Sequence, residues 1–389
     1  MHTPATLIAA WARSAVAPRN GAFKALHAHD IASPVVQALL RRAGVDVTCV
    51  NAIVVGNALG GGGNPARMLT LHAGLPQTCA AYTVDTQCCA GLDAVTMGIG
   101  LIASGQAEVV IAGGMEAWSR SPIRMHRPLI ASDTPVAYER PAFAPKPEQD
   151  PDMLLSAARY AAKFGYTRAQ QEAYACESHQ RAVTQQTKMA NEIVSVLGIS
   201  RDVYPRLIDA ARAQRMPIVA RSDEQTASEV DAFALSPLTI SAQADGAAFV
   251  LLMAPDAAAR MNVQAKVVCL ASTSVGSAPE VPLLAAELAA REALQRAGLQ
   301  DVNGLQFIEL HDAFAVQGLS FADGLSLAPE RLNSLGGGIA RGHPIGASAA
   351  IALVRLLADI EREGVSGSYG LVAVAGAGGL GAAAVVRKL

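Results

Sequence analysis

Val84-Asp85-Thr86-Gln87-Cys88-Cys89-Ala90-Gly91-Leu92-Asp93-Ala94-Val95 sets two adjacent cysteines between apolar segments of different character. Upstream, Ala80-Ala81-Tyr82-Thr83-Val84 is short and β-prone, which predicts a buried strand. Downstream, Leu92 to Ala103 is apolar on nearly every face and rich in helix formers, which predicts a buried helix. Cys88 is thereby placed on a sharp strand-to-helix turn, over the free backbone N–H groups at the positive end of the helix dipole. Such a setting is expected to lower a thiol pKa from about 8.5 toward roughly 3.5–7.5 and make a nucleophile. Against this stands a plainer role, in which Cys88 and Cys89 are small hydrophobes filling a core. Asp85 and Asp93 flank the pair and read as partners of the helix dipole rather than as catalysts.

The chain has 389 residues, enough for two or three domains. Hydrophobic residues make up 51% and charged ones 16%, a balance that fits large sheets buried on both faces and an oligomer. A net charge of −2 gives no electrostatic case for nucleic acid or an anionic membrane. The 6 cysteines show neither zinc spacing nor a secreted disulfide framework, so no metal is expected and a cytoplasmic setting is. The N-terminus lacks a basic leader, and the apolar run from Gly370 to Val386 is too glycine-rich for a membrane span. Its alternation predicts two buried strands meeting at a tight turn.

Strand signals at Ala5–Ala10, Asn51–Val55, Ala80–Val84 and Glu108–Ala112 alternate with helix signals. Ser33-Pro34 is expected to open one helix that Gly44 closes, and Asn64-Pro65 to open another. The last of these strands is expected to end at Gly113-Gly114. This alternation predicts an α/β chain with a parallel sheet covered on both sides. From about Ser119 the texture changes to prolines and charges without a period. Two polar helical stretches follow, Met153–Phe164 and Thr167–Thr187, the second with a Thr167/Gln170 capping box. Strands are expected to return near Ile218 and at Phe249–Met253. The remainder repeats the first part: strand, helix and strand from Lys266 to Leu310, then a glycine-rich turn at Gly336–Gly346 leading into an apolar helix ending near Glu361. Cys88-x-x-Gly91 before one buried helix matches His343-x-x-Gly346 before the other. Duplication could bring these corners face to face as a thiol–imidazole pair. Gly113-Gly114 and Gly336-Gly337-Gly338 lack the pattern of a phosphate loop and read as close-packing turns. Met115 and Met125 read as core or tunnel lining.

Four blocks make the chain resemble a thiolase over nearly its full length: Gln87-Cys88-Cys89-Ala90-Gly91, Ala112-Gly113-Gly114-Met115-Glu116, His311-Asp312-Ala313-Phe314-Ala315, and Gly336 to Gly346 with its Gly342-His343-Pro344 core. The third block is similar to that of sterol-carrier-protein-type and archaeal thiolases. The resemblance implies a thiolase fold, five-layered α/β/α/β/α, from two pseudo-symmetric halves (residues 1–118 with 221–255, and 256–389) plus an inserted loop domain at 119–220. It implies an acyl-CoA C-acyltransferase, acting in fatty acid metabolism as a homodimer or homotetramer. Acyl-CoA molecules would be the substrates, with coenzyme A a substrate and no cofactor tightly bound. Cys88 would carry the acyl group as a thioester. His343 would activate Cys88 and share an oxyanion hole with His311, and the backbone N–H groups of Cys88 and Ala377 would form a second. Ser241 falls where the family touches the pantetheine arm. Met153, in Asp152-Met153-Leu154, takes the place of a His-Met-Gly signature at the acyl pocket, and Phe314 joins it in binding substrate.

One departure bears on the chemistry. The family's last block carries a cysteine that moves protons on and off the substrate α-carbon, and here Ala375 takes its place in Ala375-Gly376-Ala377-Gly378-Gly379. His311 is the first candidate substitute and Cys89 the second. The region Ala220–Pro237, where the family binds nucleotide, is also shortened. Two other readings therefore stay open: a decarboxylating, ketosynthase-like condensing enzyme built on Cys88 and two histidines, and a catalytically impaired protein that only binds acyl-CoA.

Overall fold

The computed structural model describes residues 6–223 and 230–389. Nine main strands build one hydrogen-bonded sheet system: β1 (Thr6–Ser14), β2 (Ala52–Gly56), β3 (Ala80–Val84), β4 (Val109–Ala117), β5 (Ala244–Met253), β6 (Val267–Gly276), β7 (Phe307–His311), β8 (Tyr369–Gly376) and β9 (Leu380–Lys388). Their order across the system is β7-β8-β9-β6-β1-β5-β4-β2-β3. This order contains the same motif twice. In each half the first strand pairs with the last, the last with the one before it, and that strand with the second. The halves meet where β1 and β6 run antiparallel, Thr6 opposite Cys269 and Ile8 opposite Val267.

The sheet is mixed, which corrects the parallel expectation. Only β2/β3, β2/β4 and β7/β8 are parallel among these nine strands. Direction reverses because β8 and β9 form a hairpin, whose turn needs Gly378 and Gly379 at φ +77° and +79°. In the other half β5 returns after the long insertion and lies antiparallel to both β1 and β4.

Side-chain alternation along the strands sorts the core into layers. Helix α1 (Ala28–Ala43) covers one outer face, its Ile31, Val35, Val36 and Leu39 packing on Ile53, Val55, Ile111 and Leu251. The opposite strand faces carry Val54, Val110 and Val250 in one half and Val372, Ala382 and Ala384 in the other. These point into a shared inner layer, filled by α3 (Ala90–Ala103) and α8 (Ser348–Glu363), one helix from each half. Helix α6 (Ala285–Arg296) closes the remaining face over Leu371, Ala373, Ala383 and Val385. Small side chains such as Ala286, Ala289, Ala290 and Ala293 let α6 lie close to its sheet.

Several local expectations differ from the structure. Helix α1 starts at Ala28, with Pro34 inside it, because Asp30 accepts from the His27 N–H at 2.9 Å and starts the helix upstream of the proline. Strand β4 runs on through Gly113-Gly114 to Ala117. No strand forms at Ile218; Ala220 makes one isolated bridge to Leu235. A helix without a clear sequence signal, α7 (Ala315–Gly324), follows His311. Helix α2 (Pro65–His72) opens as expected, with the Asn64 side chain accepting from Arg67 N–H. Between β4 and β5 lie α4 (Met153–Phe164) and α5 (Arg168–Thr184), the latter with its capping box formed at Thr167 and Gln170. Part of the shortened region, residues 224–229, lies outside the described residues.

Candidate active site

The site forms where α3 and α8 begin. After β3 the chain makes a 3₁₀ turn at Gln87–Cys89, entered with Gln87 at φ +55°, a left-handed value that is rare for a non-glycine residue. Asp85 steadies this turn by accepting from the Gln87 backbone N–H at 3.1 Å and its side-chain amide at 2.9 Å. Asp93 accepts from Thr86 Oγ1 at 2.5 Å and from Ser274 Oγ, tying the same turn to β6. Both acids thus position the turn and neither takes part in the thiol's own hydrogen bond.

The facing corner presents His343. Its N–H donates to Ala242 O at 2.6 Å, and the Trp118 indole donates to its carbonyl at 3.0 Å, so the backbone is held from two sides. Cys88 Sγ lies 3.1 Å from His343 Nε2. The other ring nitrogen, Nδ1, is 2.7 Å from Ser348 Oγ, and that hydroxyl donates its one proton to Pro344 O at 3.0 Å. Ser348 must then accept from Nδ1–H, which leaves a bare lone pair on Nε2 facing the thiol.

The two corners approach closely because glycines line the contact. A Cβ at Gly114 would stand 2.0 Å from the Gly346 carbonyl oxygen, and one at Gly56 or Gly91 would stand 2.6 or 2.9 Å from the same atom. Glu116, 1% exposed, fixes that approach. Its carboxylate accepts from Ala58 N–H at 2.9 Å, Asn57 Nδ2 at 2.8 Å and Gly346 N–H at 3.1 Å, while burial pushes its pKa up to about 7.

The electrostatics overturn the expected low thiol pKa. Burial pushes Cys88 up to about 11, and hydrogen bonds from the backbone N–H groups of Ala377 and Cys88 offset only part of that. Burial also lowers His343, to about 4. The resting pair is a neutral thiol beside a neutral imidazole, not a preformed thiolate.

A cavity of about 310 Å³ opens at Cys88, and its walls include His343, Ser241, Met153, Phe314 and Ala377. Trp118, Phe143 and Leu283 add apolar surface that carries no sequence signal, Phe143 because it sits in an aperiodic stretch. Ser241 Oγ donates to Gly338 O at 2.6 Å, so it meets a ligand as an acceptor. His311 is brought beside His343, rings stacked with centroids 4.5 Å apart, but its side chain is not part of the cavity wall. It is 3% exposed, its Nε2 has no hydrogen-bond partner, and burial together with His343 and Arg341 drives its pKa well below the usual histidine range. Ala375 lines the cavity with a methyl group. Cys89 does not reach it: the side chain is fully buried and Sγ faces Val374 O at 3.9 Å, which removes it as a substitute for the missing cysteine.

Asp312 and Tyr174 are further residues that the sequence alone does not assign. Tyr174 Oη donates to Asp312 Oδ2 at 2.8 Å, and Asp312 Oδ1 accepts from Gly338 N–H at 2.5 Å, fixing the glycine turn against the His311 ring.

The fold and this thiol–imidazole corner pair define a condensing-enzyme architecture, and comparison with known proteins identifies the family. Residues 6–256 match the model for "Thiolase, N-terminal domain" and residues 261–388 that for "Thiolase, C-terminal domain". The chain belongs to the thiolase family. It is 33% identical to an acetyl-CoA acetyltransferase of Rhizobium meliloti (strain 1021), over 100% of both chains. It is 31% identical to a probable acetyl-CoA acyltransferase of Staphylococcus aureus (strain COL), over 98% of each. Among solved structures, the Bacillus anthracis acetyl-CoA acetyltransferase superposes with a TM-score of 0.89 at 26% identity, covering 100% of this chain and 99% of that one. A thiolase from Ascaris suum in complex with coenzyme A gives 0.89 at 25% identity, covering 99% and 100%. Among the described residues no helix is long and apolar enough to cross a membrane.

Proposed function

We propose that the chain is a thiolase-type acyl-CoA C-acyltransferase that works through an acyl thioester on Cys88. The observation that carries this reading is the 3.1 Å contact between Cys88 Sγ and a His343 Nε2 left without a proton by Ser348. Cys88 gives its proton to Nε2, and its sulfur attacks the thioester carbonyl of an acyl-CoA. The bond to coenzyme A breaks, and the departing thiolate takes the proton back from His343. The acyl-enzyme carbonyl rests against the N–H groups of Cys88 and Ala377, each such donor contributing about 3–4 kcal/mol as charge develops. In the second half-reaction the α-carbon of another acyl-CoA loses a proton and attacks the acyl group, and Cys88 leaves as a thiolate. With Ala375 unable to take that proton, His311 is assigned as the base: its Nε2 has no hydrogen-bond partner and its ring stacks on His343, and it must turn out from behind the cavity wall to reach the substrate.

The test is intact mass after brief exposure to acetoacetyl-CoA and, separately, to acetyl-CoA, with peptide mapping. An acetyl group on Cys88 from acetoacetyl-CoA, discharged only by free coenzyme A, is expected. His311→Ala should still accept acetyl from acetyl-CoA while losing carbon–carbon cleavage. A protein that takes no acyl group onto Cys88 from these or longer β-ketoacyl-CoAs would sink the proposal. Ala375 favours one second reading, decarboxylative condensation, and release of CO₂ from malonyl-CoA would select it.

We also propose that the chain assembles as a homo-oligomer through β3. This strand is one of the two end strands of the sheet, and Tyr82 on it is 42% exposed, with Met68 of α2 and Met97 of α3 at 51% and 47%. An edge met by the Asn64 side chain at Ala81 O and Thr83 Oγ1, and flanked by exposed apolar side chains, calls for a covering partner. Light scattering should return a dimer or tetramer, and a monomer at micromolar concentration would refute it.

A further inference from the structure

Three of the 8 histidines gather on the surface, outside the Cys88 cavity, at the junction of α1 and α2. His27 and His29 stack with centroids 5.5 Å apart, and His29 meets His72 edge-on at 5.0 Å. Asp30 lies between them. Its Oδ2 is held by the His27 N–H at 2.9 Å, which orients the carboxylate, and its Oδ1 faces His72 Nε2 at 3.3 Å and His29 Nε2 at 3.7 Å. Helix capping accounts for Asp30, and the dipole at the end of α2 accounts for His72, but neither accounts for two imidazole nitrogens converging on one carboxylate oxygen.

We propose that His29, Asp30 and His72 form a binding site for a divalent transition ion of the zinc class. Two ligands that each stand about 2.0–2.1 Å from a tetrahedral ion are about 3.3 Å apart. The contacts to Asp30 Oδ1 already have that spacing, within a few tenths of an ångström. All three ligand atoms lie within 4.8 Å of one another, so a small rotation of the His29 and His72 rings closes the triangle. Two imidazoles with a single carboxylate suit zinc, cobalt or nickel, and offer too few oxygens for calcium or magnesium. Such a site needs its carboxylate oriented from behind, as the His27 N–H does here. The side chains are 25–46% exposed, which gives an ion a way in and leaves its fourth position to water. A groove of about 260 Å³ beside the cluster is lined by His27, His29, Met68, Asn57 and Glu116, so the site borders the residues that hold the Gly346 corner. With metal bound, the start of α1 would be stapled to the end of α2.

The test uses the full chain, freed of metal with a chelator and titrated with Co²⁺ and then Zn²⁺. One equivalent of Co²⁺ is expected, with visible ligand-field bands, no thiolate charge-transfer absorption, and displacement by Zn²⁺. His29→Ala and His72→Ala should each lose that binding and keep the acylation of Cys88, the measure that they remain folded. Zinc should raise the unfolding temperature of the parent and leave that of His72→Ala unmoved. Absence of binding in the parent, undiminished binding in both variants, or a thiolate band pointing to the cysteines would overturn the proposal.

Discussion

Cys88→Ser is expected to cut turnover by a factor on the order of 10⁴–10⁶, the scale seen when a nucleophile that acts as a unit with its base is removed. A thiol held up to about 11 is already a reluctant acid, and a histidine lowered to about 4 is a weak base. Transfer between them succeeds because the atoms touch and because the thiolate, once formed, meets two backbone N–H groups. A serine hydroxyl is a far weaker acid than any thiol, so the same base no longer suffices. His343→Ala should cost nearly as much, and the double variant little more than either, since the pair acts together. Steady-state kinetics on the three variants checks this, and additive losses would contradict it. The sign of the pH dependence follows from the same values. The thiol is raised, so thiolate appears only as pH climbs toward about 11, and alkylation of free Cys88 by iodoacetamide should keep rising through pH ~9. A plateau by pH ~8, near the ordinary thiol range, would restore the preformed thiolate.

The second large effect concerns stability. Glu192 is fully buried between Arg13 of β1 and Arg355 of α8, bonding Arg13 Nε at 2.6 Å and Arg355 Nη1 through its other oxygen. Asp202 holds Arg13 at 2.7 Å and Asp359 holds Arg355 at 2.6 Å, all with side chains at most 3% exposed. This cluster joins the first half, the insertion and the second half of the chain. Glu192→Gln removes the shared charge and leaves two guanidinium groups without it in a dry interior. Breaking a buried pair in this way costs roughly 3–5 kcal/mol. A fall in the urea midpoint by that equivalent is expected, measured alongside Arg41→Ala, an exposed residue in the last turn of α1, as the mild control. An unchanged midpoint would show that the network contributes no net stability.

Much of the site is legible in the sequence because its signals are local. The β-prone run Ala80–Val84 becomes a strand, though an end strand with Tyr82 and Thr83 exposed rather than the expected buried one. The apolar run after Leu92 becomes the expected helix, and the doubled Cys-x-x-Gly and His-x-x-Gly corners anticipate the pairing of Cys88 with His343. What the sequence hides comes from long-range contacts. Gly113 and Gly114 look like a strand's end, yet they continue one, because at Gly114 a carbonyl from Gly346 must pass where a side chain would stand. Pro34 looks like a helix start, yet Ile31 and Ala32 pack on the sheet and draw the helix earlier. The thiol pKa is not legible because the turn displays a helix dipole, whereas its burial depends on α8 and the β8–β9 hairpin. The metal cluster has no spacing pattern, since His72 joins His29 and Asp30 only when α2 folds against α1.

The meeting of two duplicated halves at Gly346 also makes the reaction a gauge of alignment. Neither half holds both reactive groups, and the distance between them is set by how deeply one carbonyl seats among Gly56, Gly91 and Gly114. A slip of about 1 Å along that joint would leave both halves folded and still cost on the order of 10²-fold in rate. Turnover in this protein therefore reports the seating of the joint more finely than any measure of folded content, and substitutions there should register as silence before they register as unfolding.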